Sequence, residues 1–250
     1  MDEKINKAAQ WIKEAKYVVA FTGAGISVPS GIPDFRSPGG LWSHFDPWQV
    51  CSDWALQHNP KGVWEFLLEA VFMFNKAEPN PAHLSLAELE RRGVLKCIIT
   101  QNIDGLHQRA GSKNVIEFHG GCTKFYCNDC GKNYSLENLK KLTRENIPWM
   151  CTDCGSIVRP DIVFFGEQIP PSALFSSQEH CSKADLMLII GTSGEVAPAN
   201  TLPTIVKQNS GKIIEINLGE TAYESVSDIR FNRGAEEVLP LIVSKIGGKN

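Results

Sequence analysis

Short apolar runs alternate with helical patterns along most of this chain, and this alternation limits the fold more than any other feature. The runs are rich in Val, Ile and Leu and cover residues 17–21, 95–99, 115–118, 186–190 and 212–216. Between these runs, apolar residues recur at helical spacing. One example is the predicted helix over 82–91, and the glycine at position 93 marks its C-terminal end. Buried strands that alternate with helices form a parallel sheet covered on both faces. The sequence therefore predicts an α/β fold.

Two segments break this alternation. Residues 38–78 are rich in Trp and Phe and combine loop and helix patterns, and residues 122–159 are polar and hold two cysteine pairs. We expect both segments to be insertions that pack together as a second, smaller domain. The larger α/β domain then consists of residues 1–37, 79–121 and 160–250.

Charge and hydropathy exclude some classes of partner. The net charge of -3 gives no reason to expect direct binding of nucleic acid or of an anionic membrane surface. The first residues are charged rather than apolar, and no run approaches the roughly 20 apolar residues that span a bilayer. We therefore expect a cytoplasmic protein.

Polar residues and glycines follow four of the apolar runs. They are Gly23 to Ser27 after the first run, Gln101 to Asp104 after the second, Gly191 to Ser193 and Asn217 to Gly219. Ligands bind outside the carboxyl ends of parallel strands, so these residues should line one crevice. The Gly-x-Gly of the first turn is compatible with dinucleotide binding, but the third glycine of the usual fingerprint is missing. An ordinary strand-to-helix turn explains that tripeptide equally well.

Four of the eight cysteines form two pairs of the type Cys-x2-Cys. The pair Cys127 and Cys130 is separated from the pair Cys151 and Cys154 by 20 residues. This spacing is typical of a structural Zn²⁺ site and favours zinc over a redox pair or a disulfide. Four thiolates leave no open coordination position, so the metal should be structural rather than catalytic. The other four cysteines are expected to be small buried residues.

Several longer motifs, in this order along the chain, resemble the sirtuin family. They are 23–27 (GAGIS), 31–36 (GIPDFR), 100–107 (TQNIDGLH), 119–120 (HG), the four cysteines, 159–167 (RPDIVFFGE), 191–193 (GTS) and Asn217. The resemblance implies a Rossmann-like larger domain and a smaller domain made of a zinc-ribbon module and a helical module. It also implies an NAD-dependent protein deacylase whose partners are proteins that carry acyl-lysine. Such an enzyme transfers the acyl group to ADP-ribose and releases nicotinamide.

The resemblance also implies roles for individual residues. His119 matches the general base, Asn102 the residue that positions ribose and water, and Asp104 the residue that holds the nicotinamide carboxamide. The implied NAD-binding residues are Gly23, Ala24, Gly25, Ile26, Ser27, Pro33, Asp34, Phe35, Arg36, Gln101, Asn102, Ile103, Asp104, Gly191, Thr192, Ser193, Asn217, Leu218, Gly219 and Ala235. The implied peptide-binding residues are Val163, Phe164, Phe165, Gly166, Glu167 and Val196.

Some of these assignments have structural alternatives. A single histidine at a strand end is often only a hydrogen-bonded structural residue, although an imidazole with its pKa near 6.5 suits a general base. Asp104 could cap the helix that follows it, a role that does not exclude a carboxamide contact. The family usually has an aliphatic residue directly after Gly-Thr-Ser, where this sequence continues with Gly194 and Glu195, and this difference leaves the peptide contacts near Glu195 open.

Two other classes of function stay open at this point. One is a transferase or glycohydrolase that breaks the same glycosidic bond and passes ADP-ribose elsewhere. The other is a non-catalytic zinc-ribbon module that binds NAD. The presence of both His119 and Asn102 favours deacylation over either of them.

The acyl preference depends on two residues of the helical segment. Sirtuins that prefer succinyl- or malonyl-lysine carry a Tyr-x-x-Arg pair there, and Leu67 and Ala70 take its two positions in this sequence. Neither side chain can hydrogen-bond a carboxylate, and a desolvated carboxylate without a partner is costly. We therefore expect the removal of acetyl and slightly longer neutral acyl groups.

Overall fold

The computed structural model describes residues 1–34, 40 and 43–247 of the chain. Their strands, in chain order, are β1 (Val18–Thr22), β2 (Leu95–Thr100), β3 (Val115–Glu117), β4 (Gly120–Cys127), β5 (Asn133–Tyr134), β6 (Val158–Ile162), β7 (Leu186–Ile190), β8 (Lys212–Asn217) and β9 (Ile229–Asn232). The α-helices are α1 (Asp2–Glu14), α2 (Pro47–Val50), α3 (Asp53–His58), α4 (Pro60–Lys76), α5 (Pro81–Arg91), α6 (Leu106–Arg109), α7 (Leu136–Leu139), α8 (Pro171–Lys183), α9 (Leu202–Gln208) and α10 (Ala235–Ile246).

Six strands form one sheet in the order β3-β2-β1-β7-β8-β9. Every neighbouring pair in this sheet is parallel. Counted along the chain within this sheet alone, the order is the 3-2-1-4-5-6 of the Rossmann fold. The predicted parallel α/β sheet is confirmed. Its topological switch point lies at β1, whose two neighbours β2 and β7 lead to opposite edges.

The central strands β1 and β7 are almost entirely apolar and fully buried, because helices cover both faces of the sheet. In β1, Val18 and Ala20 pack into a core shared with α1, α5 and α10. Val19 and Phe21 point to the opposite face, into a core shared with α8 and α9. Successive side chains of a strand face opposite sides, so a strand covered on both sides needs an unbroken apolar run.

The observed strands differ from the predicted runs mainly at their ends. β2 and β8 each continue one residue farther than predicted, because Thr100 still pairs with Thr22 and Asn217 still pairs with Asn232. The sequence analysis missed β9, a short edge strand. Only its alternate residues Ile229 and Phe231 are buried, so it contains no continuous apolar run.

The smaller part of the structure contains a three-stranded antiparallel sheet in the order β5-β4-β6. Trp64 of α4 packs against Phe125 and Trp149, and its indole N–H donates to the carbonyl oxygen of Val158 at 2.9 Å. Side chains from 45–77 and from 122–164 share this core. The predicted domain boundaries stay a prediction: the junction at 37/38 lies outside the described residues, and β4 continues across the junction at 121/122.

None of the described helices is long and apolar enough to cross a bilayer.

A backbone contact between β4 and β6 requires glycine directly after His119. Gly120 has φ +74°, and a Cβ there would overlap the carbonyl oxygen of Asp161. We predict that Gly120→Ala lowers the free energy of unfolding by at least about 2 kcal/mol more than Gly93→Ala does. Gly93 is the matched control, because it has φ +71° and its Cβ would meet nothing within 4 Å. Denaturant unfolding of both variants measures the difference, and equal losses would contradict the overlap.

Candidate active site

A cavity of about 1450 Å³ opens at the carboxyl ends of the parallel strands. Segments at the ends of five parallel strands line it. They are 23–25 after β1, 101–103 after β2, 191–193 after β7, 216–218 at the end of β8 and 233–236 after β9. Pockets for one small molecule measure roughly 300–1,000 Å³, so this cavity can hold more than one ligand. Its place at the switch point is where open α/β sheets bind ligands.

The glycine turn after β1 packs backbone to backbone against the turn after β7. The N–H of Gly25 donates to the carbonyl oxygen of Gly191 at 2.9 Å, and a Cβ on Gly25 would lie 2.8 Å from the Cα of Gly191. Gly191 itself has φ +61°. This close approach explains why glycine occupies both positions, and it leaves the two turns as one continuous wall of the cavity.

Gln101 and Asn102 connect the end of β2 to that wall. The Gln101 side-chain amide donates to Thr192 Oγ1 at 2.9 Å. The Asn102 amide donates to the carbonyl oxygen of Gly23 at 3.1 Å and lies 3.2 Å from Ser27 Oγ. Asn102 is buried, so these contacts hold its side chain in one orientation at the cavity wall.

Asp104 makes two hydrogen bonds with different roles. One carboxylate oxygen accepts from the Leu106 N–H at 2.9 Å, at the start of α6, and the other accepts from Ser27 Oγ at 2.7 Å. The helix contact expected as an alternative is therefore present, beside a contact to the glycine turn. Burial raises the pKa of Asp104, and the two hydrogen bonds act in the opposite direction.

His119 lies after β3 with its ring fixed by the backbone. Nδ1 is 3.1 Å from the carbonyl oxygen of Gln101. A carbonyl oxygen can only accept, so Nδ1 carries the proton and Nε2 keeps its lone pair. Burial lowers the pKa of His119 below the ordinary value of 6.5. The imidazole is thus neutral at pH 7 and able to accept a proton at Nε2.

The segment after β6 joins His119 to the smaller part of the structure. The Val163 N–H donates to the carbonyl oxygen of His119 at 2.9 Å. Phe165 exchanges backbone hydrogen bonds with the chain at Cys51 and Asp53, at 2.9 and 3.0 Å. The Glu167 carboxylate accepts from Arg159 and from the Phe164 N–H. Residues 163–167 all line the cavity, as does Val196.

One end of the cavity is apolar. Four side chains from one face of α4 line it, namely Phe66, Leu67, Ala70 and Phe74. Leu67 and Ala70 are the two positions that the sequence analysis connected with the acyl preference, and both are almost fully buried. Arg233, after β9 at the opposite edge of the sheet, is the single Lys or Arg side chain among the described lining residues.

Most of the predicted site residues surround this cavity, and some do not line it. Ile26, Ser27, Pro33, Asp104 and Gly219 are absent from its described wall, although Ser27 and Asp104 bond to each other directly behind it. Phe35 and Arg36 lie outside the described residues. The sequence analysis missed several lining residues, namely Pro29, Leu174, Phe175, Arg233, Gly234 and Glu236.

The four paired cysteines converge in the smaller part of the structure. Their sulfur atoms all lie within 4.8 Å of one another. Cys127 and Cys154 are 3.3 Å apart, and Cys130 and Cys151 are 3.6 Å apart, well beyond the 2.05 Å of a disulfide. Zn–S bonds of about 2.3 Å in a tetrahedron place sulfurs about 3.8 Å apart. The donor set and its spacing therefore fit a tetrahedral metal ion.

Known proteins resemble this chain over nearly its whole length. The model of the Sir2 family matches residues 23–198. An NAD-dependent protein deacetylase of Caldivirga maquilingensis is 45% identical over 243 residues, which are 97% of this chain and 93% of the relative.

Two solved structures extend the comparison to ligands. A Sir2 enzyme with a deacetylated p53 peptide and 3'-O-acetyl ADP-ribose superposes with a TM-score of 0.90 at 38% identity, covering 98% of both chains. A Sir2 enzyme bound to a myristoylated histone peptide has a TM-score of 0.84 at 38% identity, covering 98% of this chain and 97% of the other. With its switch-point cavity and its fixed, neutral histidine, the chain belongs to the Sir2 family of NAD-dependent protein deacetylases and deacylases.

Proposed function

We propose that NAD binds along the strand ends of the large cavity, that the acyl-lysine enters between residues 163–167 and Val196, and that His119 is the general base. The observation that carries this assignment is the His119 ring, whose Nδ1 is held by a backbone carbonyl while Nε2 stays available. The interlocked glycine turns and the amide and hydroxyl groups beside them support NAD binding, because they offer backbone and side-chain polar groups without bulky side chains.

In this assignment bound NAD would supply the ribose that accepts the acyl group, and nicotinamide and the free lysine would be released. Nε2 of His119 takes the proton of a ribose hydroxyl, and the resulting imidazolium is stabilised through its Nδ1–H bond to Gln101. Asn102 orients the ribose. The carboxamide role of Asp104 stays a prediction from the family resemblance, because Asp104 bonds to Ser27 behind the described cavity wall. The peptide adds as a strand to residues 163–167, which explains how many different sequences could be accepted.

Substitution of the proposed base tests this assignment. We expect His119→Ala to lower kcat/KM for an acetylated peptide by about 100-fold or more, the usual contribution of a general base. Nicotinamide exchange and NAD binding should persist, because breaking the glycosidic bond does not need this base. His180→Ala is the control, since His180 contacts Tyr17 outside the described cavity wall. Mass spectrometry of all products would reveal ADP-ribose passed elsewhere, and near-normal turnover would remove His119 from the base role.

The pH dependence of the reaction gives a separate test. The base form of His119 dominates above its lowered pKa and is lost as pH falls through it. We therefore expect kcat/KM to be constant from pH 7 to 8 and to decline only at a pKa below 6.5. Nicotinamide exchange should lack this decline. If kcat/KM and nicotinamide exchange declined at the same acidic pH, Asp104 rather than His119 would be identified as the titrating group. A decline of kcat/KM that begins above pH 7 would contradict a neutral buried imidazole.

We also propose that the cysteine quartet binds one structural Zn²⁺ per chain. Cys127→Ala should lose the metal and lower the melting temperature of the smaller part, because structural zinc binding contributes directly to folding. Cys181→Ala is the control, since Cys181 is buried in the core of the sheet and should retain the metal. Elemental analysis and thermal unfolding measure both effects. Metal-free wild-type protein with the same melting temperature would rule out the site.

The apolar end of the cavity leads us to propose a preference for neutral acyl groups. We expect acetyl, propionyl and butyryl to be removed efficiently, and succinyl with a kcat/KM about 100-fold lower, because its carboxylate loses water without gaining a partner. The measurement is kcat/KM on one peptide that carries each acyl group in turn.

A designed variant sharpens this prediction. Leu67→Tyr with Ala70→Arg supplies a hydroxyl and a cation on the face of α4 that lines the cavity. We expect the double variant to gain succinyl removal relative to acetyl removal. Comparable succinyl and acetyl values in the unmodified protein would show either that Leu67 and Ala70 do not take the positions of the Tyr-x-x-Arg pair or that another cation, such as Arg36, recognises the carboxylate.

A further inference from the structure

Glu215 on β8 carries a carboxylate that the proposed mechanism does not use. Its side chain is 0% exposed, and no other Asp or Glu of the described residues is classed as buried. A buried carboxylate is unfavourable unless charged and polar partners satisfy it. Its presence in a strand of the NAD-binding sheet, two residues before Asn217, therefore needs a physical explanation.

Four groups converge on this carboxylate. Oε1 accepts from Thr221 Oγ1 and from the Asn217 amide, at 2.5 and 3.1 Å. Oε2 accepts from Ser227 Oγ at 2.8 Å and lies 3.4 Å from the Arg230 guanidinium. An ionised carboxylate can only accept, so each of these partners must present a donor or a positive charge to it. Glu215 thus connects β8 and β9 to the loop between them.

The contact with Asn217 has a consequence for the cavity. Asn217 lines the cavity wall and is almost fully buried. Because its amide nitrogen donates to Glu215, a flipped amide would bring its oxygen against the carboxylate and is disfavoured. Asn217 Oδ1 is therefore the atom that can accept a hydrogen bond from a ligand. Within the described residues, no group donates a hydrogen bond to it. It can accept from a hydroxyl group.

The position of Asn217 indicates which hydroxyl that is. β8 and β3 are four strand spacings apart in the sheet, or about 19 Å at roughly 4.8 Å per spacing. His119 follows β3, so the nicotinamide ribose lies at the far side of the crevice. The remaining candidate is the ribose of the adenosine half.

We infer that Glu215 is a positioning residue for NAD, which acts through Asn217 to present a hydrogen-bond acceptor to the adenosine ribose. The inference rests on the proposed NAD site. If Glu215 had only a structural role, it would fix the loop at Thr221 and Ser227, and its substitution would not change ligand binding through Asn217.

The test measures binding of ADP-ribose by calorimetry and the separate KM values. Glu215→Leu, which leaves no acceptor for the Asn217 amide at this position, should raise the Kd of ADP-ribose and the KM of NAD about tenfold, the size expected for one well-oriented hydrogen bond. The kcat and the KM of the peptide should stay within about twofold. Ser227→Ala is the matched control, because it removes a partner of the same carboxylate on the oxygen that does not contact Asn217. It should leave the Kd of ADP-ribose within about twofold.

A double-substitution cycle separates positioning from a structural role. In an Asn217→Ala background, Glu215→Leu should weaken ADP-ribose binding by no more than about twofold, because the coupled residue is gone. An equal loss in both backgrounds would overturn the inference, as would an unchanged Kd in the single variant.

The unmodified protein offers a measurement that does not depend on a variant folding. ADP-ribose analogues lacking the 2'- or the 3'-hydroxyl of the adenosine ribose should show that one of them binds about tenfold more weakly. Equal affinity for both analogues and the parent would overturn the inference. If the unmodified protein binds no ADP-ribose at all, the proposed NAD site fails instead, so the two failures are distinguishable.

Discussion

The geometry of the site depends on the hydrogen bonds of one residue, Gln101. Its backbone N–H donates to Thr22 at the end of β1, its side chain donates to Thr192 after β7, and its carbonyl oxygen accepts from His119. The same residue therefore joins the two strands at the switch point and sets the tautomer of the proposed base. A shift of the β2 end would move this part of the cavity wall and the imidazole together.

A second set of backbone contacts connects residues 163–167 to His119 and to the smaller part of the structure. Val163 bonds to the carbonyl oxygen of His119, and Phe165 pairs with residues 51–53 of the smaller part. The segment is thus held from both sides while its residues line the cavity. A peptide that pairs with it would be placed relative to His119 by backbone geometry alone, with little dependence on side chains.

The sequence was most informative where a physical requirement acts on consecutive residues. A strand covered on both faces must be apolar, which is why β1, β2, β7 and β8 could be located almost to the residue. β9 was missed because an edge strand with Arg230 between Ile229 and Phe231 contains no apolar run. The lining residues Arg233 and Gly234 follow that strand and were missed with it.

Other parts of the site depend on tertiary contacts that no local pattern reports. Phe175 lines the cavity although its side chain is 66% exposed, and its helical position resembles that of any surface residue of α8. The tautomer of His119 follows from a carbonyl 18 residues earlier in the chain. Asp104 and Ser27, identified by resemblance, form a pair behind the cavity wall rather than in it, which only their measured contact reveals.

The two ends of the cavity offer a ligand different kinds of contact. The strand ends present fixed polar groups such as Asn102 and Asn217, whose amides are oriented by bonds to Gly23 and Glu215. Helix α4 presents apolar side chains, and burial of a ligand against them is worth about 0.8 kcal/mol for each methylene. A polar group at the first end tolerates little change in the ligand, because an unmade hydrogen bond is costly. If the acyl group binds at the apolar end as proposed, that end would tolerate any neutral chain that fits, and the depth of the cavity would set the selectivity among neutral acyl groups.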